Sequence, residues 1–244
     1  MDHAARDKAH HDAIAQEYEK VVNLPRKLAN DALFSSVVSR LPSHRGKMLD
    51  LGCGTGQMCD RFADFFEHTT GVDHSEAMLG VARSKPSASK VSFLKGDALT
   101  YLDNQSECFD LITAVGFLHH LKQADSKLLL TKIQQHLRPG GVVVIADPMD
   151  FDPNDEPGIL SWWNKPFRQS FGGYQTEAED PDEAPIPEVT LRSWFANAQL
   201  PVLYSRRAWE IFPRYGGWRD RLAITILDRF CRRRGVVGLF IASV

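Results

Sequence analysis

The chain has 244 residues, a formal net charge of −2 at pH 7 and 43% hydrophobic residues. These values are typical of an ordinary globular protein, so they exclude a collagenous or broadly disordered chain and give no electrostatic reason to expect a nucleic-acid partner. The length fits one substantial domain that buries a sizeable core, with room for a subdomain.

The cysteines favour a reducing compartment. Cys53, Cys59, Cys108 and Cys231 have neither the spacing of a disulfide framework nor that of a zinc site. We therefore expect a cytoplasmic protein without a metal centre. The N-terminal segment is charged and lacks the apolar stretch of a signal peptide, and no segment reaches about 18 consecutive apolar residues. No leader and no transmembrane segment are predicted.

Two helices are predicted ahead of residue 47, over residues 4–19 and 28–41, where they would cover the edge or the ligand-binding rim of a sheet. Residues 47–148 then alternate short apolar runs with helical segments, the pattern of successive βαβ units on a parallel sheet. The predicted strands are 47–51, 68–72, 91–95, 109–115 and 141–146, and the predicted helices between them are 58–66, 75–84 and 125–137.

Residues 149–188 form a predicted insert rich in proline, glycine, acidic and aromatic residues. Its aromatic side chains could form the wall of a substrate pocket or an accessory hydrophobic cluster; they are Trp162, Trp163, Phe167, Phe171 and Tyr174. Residues 189–244 are expected to complete the same domain, with a helix, a strand, a basic amphipathic helix and a last strand over 189–197, 201–207, 218–233 and 236–244.

The segment MLDLGCGTGQ, residues 48–57, places three glycines just after an apolar run. Glycine in such a turn lets the backbone approach a ligand closely or take a positive φ. The nicotinamide dinucleotide fingerprint G-x-G-x-x-G would need a third glycine where Gln57 stands, and a P-loop is excluded because no Gly-Lys-Ser/Thr follows.

The glycine turn resembles the first motif of the class I S-adenosylmethionine-dependent methyltransferases, in particular the small-molecule type. Four further similarities follow in order: Val72-Asp73, Gly96-Asp97-Ala98, residues 109–112 and residues 137–141. The resemblance implies a doubly wound, Rossmann-like α/β fold with a seven-stranded sheet, an antiparallel last strand and helices on both faces. It also implies S-adenosylmethionine as cofactor and S-adenosylhomocysteine as product.

The resemblance assigns most cofactor contacts to residues 47–148. The three glycines Gly52, Gly54 and Gly56 would pass close to the amino-acid half of the cofactor. Asp50 would anchor the loop or reach the methionine ammonium through water. Asp73 would receive both ribose hydroxyls, because a carboxylate accepts from two donors at once; the alternative is a solvated turn residue.

Other contacts follow from the same resemblance. Asp97 would bind the adenine amino group, although aspartate there could equally cap a helix that begins at Ala98. Residues 11–19 are similar to an aromatic-containing helix that closes over the cofactor, which would place Tyr18 at the site; an ordinary packing helix is the alternative. The remaining expected contacts are Ala98, Met78 and Val115.

The expected catalytic residues lie in the loop after the fourth predicted strand, which contains His119 and His120. Histidine has the intrinsic pKa of a general base near neutral pH, and a hydroxyl acceptor must lose a proton. His120 is the preferred base, and a structural or cofactor-binding role for the pair stays open. Asp147 is an alternative acidic residue that would orient a base or bind substrate, and Tyr174 is an alternative to His120 as the base.

The predicted acceptor is a hydroxyl or amine of a small-molecule metabolite, specialised natural products included. The fourth strand is not followed by the N/D-P-P-Y/F/W segment of enzymes that methylate exocyclic base nitrogens. Cys108 is not beside a proline, as the nucleophile of pyrimidine C5 methyltransferases usually is. Neither kind of nucleobase methylation is therefore indicated. The acidic insert would repel phosphate backbones. Alternatives are an RNA or protein methyltransferase, a non-catalytic relative that only binds the cofactor, and contact with a membrane surface. The RNA and membrane alternatives rest on C-terminal arginines: Arg206, Arg207, Arg214, Arg219, Arg221, Arg229 and Arg232 to Arg234.

Overall fold

The computed structural model describes residues 3–23, 31, 34–150, 162, 185–208, 217–231 and 237–244. The strands among them are β1 Lys47–Leu51, β2 His68–Asp73, β3 Val91–Lys95, β4 Phe109–Val115, β5 Leu137–Pro148, β6 Val202–Ala208 and β7 Val237–Ser243. The α-helices are α1 His3–Ile14, α2 Gln57–Phe62, α3 Glu76–Arg83, α4 Ala98–Asp103, α5 Gln123–His136, α6 Glu188–Asn197 and α7 Trp218–Cys231.

The seven strands form one sheet in the order β3-β2-β1-β4-β5-β7-β6. Strands β1 to β5 pair in parallel, whereas β7 is antiparallel to both β5 and β6. The predicted doubly wound fold with an antiparallel last strand is therefore confirmed. The direction in which the chain adds strands reverses between the adjacent strands β1 and β4. The carboxyl ends of the strands at such a switch point form a crevice in which ligands bind.

Hydrophobic side chains cover both faces of the sheet because successive residues of a strand point to opposite sides. Leu49 and Ile112 belong to one buried cluster, whereas their neighbours Met48 and Leu111 belong to another. Burying one such side chain fully stabilises the fold by about 1.5–3 kcal/mol. The two clusters explain why the central strands are mostly apolar, since both of their sides are covered. The buried polar exceptions in β1 and β4 are Asp50, Asp110 and Thr113.

Element bounds differ from the predictions where local contacts intervene. The helix predicted over 58–66 is divided into α2 and a 3-10 turn, Ala63–Phe65. Helix α1 ends at Ile14 rather than at residue 19, and a π-helical turn, Glu19–Asn23, follows. The Glu19 carboxylate there accepts hydrogen bonds from Thr55 and Lys85, both at 2.7 Å, so tertiary contacts with the core set the path of this segment.

Several predicted features lie outside the described residues. Residues 34–38 are helical, but most of the remaining helix predicted over 28–41 is not described. The same holds for most of the insert: Trp163, Phe167, Phe171 and Tyr174 lie outside the described residues, as do Arg214 and Arg232 to Arg234. None of the helices in the described part of the chain has both the length and the apolar character needed to cross a membrane.

Candidate active site

A pocket lies at the carboxyl ends of β1, β2 and β4, where the strand order reverses. The loops after these three strands form its base, and the N-terminal segment forms its outer wall. The predicted site residues that line it are Tyr18, Asp50, Gly52, Gly54, Asp73, Met78, Val115 and His120. Gly56, Asp97, Ala98 and His119 are not among its lining residues.

The glycine loop has a backbone that other residues would not tolerate. Gly52, Gly54 and Gly56 have φ of 65°, 51° and 78°, in the left-handed region that costs a side-chain-bearing residue about 1–2 kcal/mol. A Cβ on Gly52 would lie 2.2 Å from the Phe117 ring. Gly56 directly precedes α2, and a Cβ there would lie 3.0 Å from the Phe93 ring. Gly56 therefore shapes the turn, while Gly52 and Gly54 expose backbone to the pocket.

Asp73, the last residue of β2, joins the loops on either side of the pocket. One carboxylate oxygen accepts the Gly54 N–H at 2.7 Å, and the other accepts the Ser75 N–H at 2.8 Å. A carboxylate offers about four acceptor positions, so it keeps capacity for further donors. Asp73 is 9% exposed and lines the pocket, which gives a rigid carboxylate facing the ligand space.

Asp50 connects β1 with its neighbours beneath the glycine loop. Its carboxyl accepts a hydrogen bond from the Thr113 hydroxyl at 2.6 Å and one from the Cys59 thiol at 3.5 Å. Burial raises the pKa of Asp50 to about 7, and the two hydrogen bonds offset only part of that effect. These hydrogen bonds tie β1 to β4 and α2. Contact of Asp50 with the methionine ammonium stays a prediction.

The raised pKa of Asp50 predicts a pH-dependent stability. The folded carboxyl holds its proton to about pH 7, whereas an unfolded aspartate releases it near pH 3.9, so this stabilising contribution is present at low pH and is lost as pH rises through 7. Relative to the wild type, the Asp50→Asn variant should therefore gain on the order of 4 kcal/mol between pH 4 and pH 8. Urea unfolding of the ligand-free proteins at several pH values measures this difference. Asp64→Asn, at an exposed position, is the control, and a difference independent of pH would contradict the assignment.

Asp97 and Ala98 begin helix α4. The Asp97 carboxylate accepts the Thr100 N–H at 2.8 Å, which makes it the N-cap of that helix. The Asp97 side chain is exposed and Ala98 is buried. The capping alternative is thus present in the structure, while adenine contact by these residues stays a prediction.

The two histidines after β4 have different surroundings although their ring centroids are only 3.8 Å apart. The His119 ring contacts the fully buried Asp147 carboxylate at 2.7 Å, and the His119 N–H donates to the same oxygen at 3.2 Å. His120 instead lines the pocket, where its Nδ1 lies 3.0 Å from Oδ1 of Asp7. His119 therefore holds the segment after β4 against β5, and His120 faces the pocket.

Asp7, on helix α1, is a site residue that the sequence did not indicate. Besides His120, its carboxylate lies 3.2 Å from Nδ1 of His11 and 3.7 Å from Nε2 of His74. Burial alone would raise the pKa of Asp7, but hydrogen bonds with His11 and His120 outweigh it and hold that pKa well below its usual range. The carboxylate in turn raises the pKa of His11 despite burial of the ring.

Polar contacts hold the N-terminal segment over the pocket. Asp12 accepts a hydrogen bond from the Ser75 hydroxyl at 2.5 Å, and Asn23 donates to the Thr55 hydroxyl at 3.2 Å. Tyr18, between these two anchors, lines the pocket. The segment therefore lies along the outer side of the site, while closure over a cofactor by Tyr18 stays a prediction.

Comparisons with known proteins agree with this architecture. Residues 48–141 match the model of a methyltransferase domain. The chain is similar to a trans-aconitate 2-methyltransferase of Deinococcus radiodurans, with 32% identity over 130 residues, 52% of this chain and 47% of the relative. It is also similar to an O-methyltransferase of Penicillium expansum, with 33% identity over 147 residues, 58% of this chain and 52% of the relative. The chain thus spans about half the length of the curated relatives it matches.

A solved structure of a SAM-dependent methyltransferase from Archaeoglobus fulgidus has the same fold. It superposes with a TM-score of 0.62 at 18% identity, over 94% of this chain and 98% of that one. The domain match covers the glycine loop, β1 to β4 and the turn that opens β5. It therefore includes the base of the pocket but not the N-terminal segment that forms the outer wall. Residues 48–141 are thus similar to a methyltransferase domain, and in its ordered motifs and its sheet the chain resembles the class I S-adenosylmethionine-dependent methyltransferases.

Proposed function

We propose that this protein transfers the methyl group of S-adenosylmethionine to an oxygen atom of a small molecule. One observation carries the proposal: the glycine loop, the Asp73 carboxylate and the His120 imidazole line a single pocket at the strand-order reversal. The similarity to a relative named as an O-methyltransferase supports oxygen as the acceptor atom.

In this proposal the cofactor lies across the carboxyl ends of β1 and β2. The exposed backbone of Gly52 and Gly54 admits its amino-acid half, and Asp73 accepts the two ribose hydroxyls. Met78 and Val115 supply apolar contacts to the pocket wall. Asp97 and Ala98, at the start of α4, are assigned to the adenine end.

The reaction is an in-line displacement at carbon. The acceptor oxygen forms a bond to the methyl carbon while the carbon–sulfur bond breaks, and the sulfur keeps the electron pair as the neutral thioether of S-adenosylhomocysteine. The protein aligns the reactants, excludes water and removes the hydroxyl proton. His120 is the proposed proton acceptor, with Asp7 orienting its ring at 3.0 Å. His119 positions the turn through Asp147.

The described surface favours a small acceptor over a polyanion. Arg207, one of the arginines that favour RNA, is paired within the chain: it lies 3.7 Å from the Glu188 carboxylate and donates to the Asp150 carbonyl.

Two linked measurements test the proposed function. Calorimetric titration with S-adenosylhomocysteine should give saturable one-to-one binding, because the product lacks the reactive methyl group and reports the cofactor site alone. Methyl-labelled S-adenosylmethionine is then incubated with separate small-molecule, RNA and protein fractions of an extract, and label should appear in the small-molecule fraction. Alkali should release it as methanol if the product is a methyl ester, and hydriodic acid should release it as iodomethane if the product is a methyl ether. Absence of binding by the folded protein would refute the cofactor site, and label confined to RNA or protein would refute the acceptor class.

A further inference from the structure

Four polar side chains from three separate elements meet on one wall of the pocket. Asp7 and His11 lie one turn apart on α1, His74 follows β2, and His120 follows β4. The Asp7 carboxylate lies at the centre, 3.2 Å from His11, 3.7 Å from His74 and 3.0 Å from His120. All four side chains are among the lining residues of the pocket.

We propose that Asp7, His11 and His120 form a binding site for a divalent transition-metal cation. One carboxylate oxygen and two imidazole nitrogens all lie within 4.8 Å of one another. Ligand atoms about 2.0–2.2 Å from one cation lie roughly 3.0–3.5 Å apart around a tetrahedron or octahedron. The observed separations of 3.0 and 3.2 Å between the Asp7 carboxylate oxygen and the two imidazole nitrogens lie within this range. Nδ1 of His11 also donates to the Asp7 backbone carbonyl at 2.9 Å, and a cation would replace the proton of that hydrogen bond.

The ligand types indicate which cations the site would take. Two imidazoles and one carboxylate suit borderline cations such as Zn²⁺, Fe²⁺ and Co²⁺, whereas Mg²⁺ and Ca²⁺ prefer sites built from oxygen. Three protein ligands also leave at least one coordination position for water or substrate. Because all three ligands line the pocket, that position would be open to a bound acceptor.

His74 provides an independent observation at the same place. Its Nε2 is shielded from solvent and makes no hydrogen bond within the described part of the chain, although the Asp7 carboxylate is 3.7 Å away. A buried polar atom without a hydrogen bond costs about 1–3 kcal/mol. A cation bound to Asp7, or a water on that cation, would give this nitrogen a partner.

The chemical use of the cation rests on the proposed function. A hydroxyl bound to a divalent cation loses its proton more readily, because the cation stabilises the oxyanion that forms. The oxyanion then attacks the methyl carbon and the proton leaves to solvent. His120 would act as a ligand in the metal-loaded protein, and the cation would take over its role as the group that activates the acceptor.

Metal binding itself can be measured without cofactor or acceptor. The purified full chain is stripped with a chelator and titrated with Zn²⁺ by calorimetry and with Co²⁺ by visible absorption. One cation per chain is expected, and the visible absorption should be that of Co²⁺ bound in a coordination site of low symmetry. His11→Ala and His120→Ala should each weaken binding at least about 10-fold. His10→Ala, at an exposed position on the same helix, should bind as the wild type does.

Equal binding by all four proteins, or no stoichiometric binding by the wild type, would overturn the proposal and leave an ordinary hydrogen-bonded histidine cluster. S-Adenosylhomocysteine binding by each variant shows that it is folded. Methyl transfer at full rate after chelation would also refute the metal-dependent role. Methyl transfer by the wild type without metal binding would refute the metal site and leave the proposed function intact. Metal binding without methyl transfer would refute the proposed function and leave the metal site intact.

Discussion

Asp73→Ala is expected to weaken the binding of S-adenosylhomocysteine by about 2 kcal/mol or more, a factor of at least about 30 in the dissociation constant. The variant loses the carboxylate proposed to accept both ribose hydroxyls, and charge-assisted hydrogen bonds are each worth about 1.5–3 kcal/mol. It also frees the Gly54 and Ser75 N–H groups that the carboxylate holds at 2.7 and 2.8 Å. Calorimetric titration of the wild type and the variant measures the loss.

Because Asp73 also holds two loops together, the experiment must separate binding from stability. Asp73→Asn keeps one acceptor oxygen but places an amide donor against a backbone N–H, so its affinity should lie between those of the wild type and the alanine variant. Asp64→Ala, which removes an exposed carboxylate paired with Lys90, should bind normally. Thermal unfolding monitors the fold of each protein. Wild-type affinity in a folded Asp73→Ala variant would remove Asp73 from the ribose site.

The sequence predicts the core of this fold because the information there is local. The bounds of β1, β3 and β4 agree with the predictions, since each strand is rich in apolar residues and is bounded by a turn or loop. The positive φ of Gly52, Gly54 and Gly56 also follows from the sequence, because only glycine adopts it readily. Ordered motifs then identify the family, and the family implies the position of the antiparallel strand, which no local pattern shows.

The histidine cluster could not be predicted, because it depends on how α1 packs against the core. The spacing of Asp7 and His11 places them one turn apart on a helix, but nothing local indicates that this face would meet His74 and His120. Adjacent residues point in different directions, so the sequence does indicate that at most one of His119 and His120 faces the pocket. The partner of His119 was hidden, since Asp147 reaches it from another strand. Contacts between distant segments decide which of two adjacent residues faces the pocket.

His120→Ala should lower the turnover number for methyl transfer about 100-fold or more while S-adenosylhomocysteine affinity stays within about 2-fold. The imidazole lines the pocket beside Asp7, so its loss removes the group that activates the acceptor, whether as direct proton acceptor or as metal ligand. The glycine loop and Asp73, which are proposed to bind the cofactor, are untouched. Single-turnover transfer from labelled S-adenosylmethionine to the identified acceptor separates the chemical step from binding and product release.

The neighbouring histidine gives the sharpest comparison for this prediction. His119→Ala would leave the fully buried Asp147 carboxylate without its imidazole partner, so we expect a fall of about 1–3 kcal/mol in the free energy of unfolding. Any loss of turnover in that variant should follow the loss of folded protein. Added imidazole should restore part of the activity of His120→Ala, because the small base can enter the space that the side chain leaves, but should not restore His119→Ala. If His120→Ala turns over at the wild-type rate, the His120 imidazole is not needed to activate the acceptor. In-line alignment of the reactants would then have to account for catalysis.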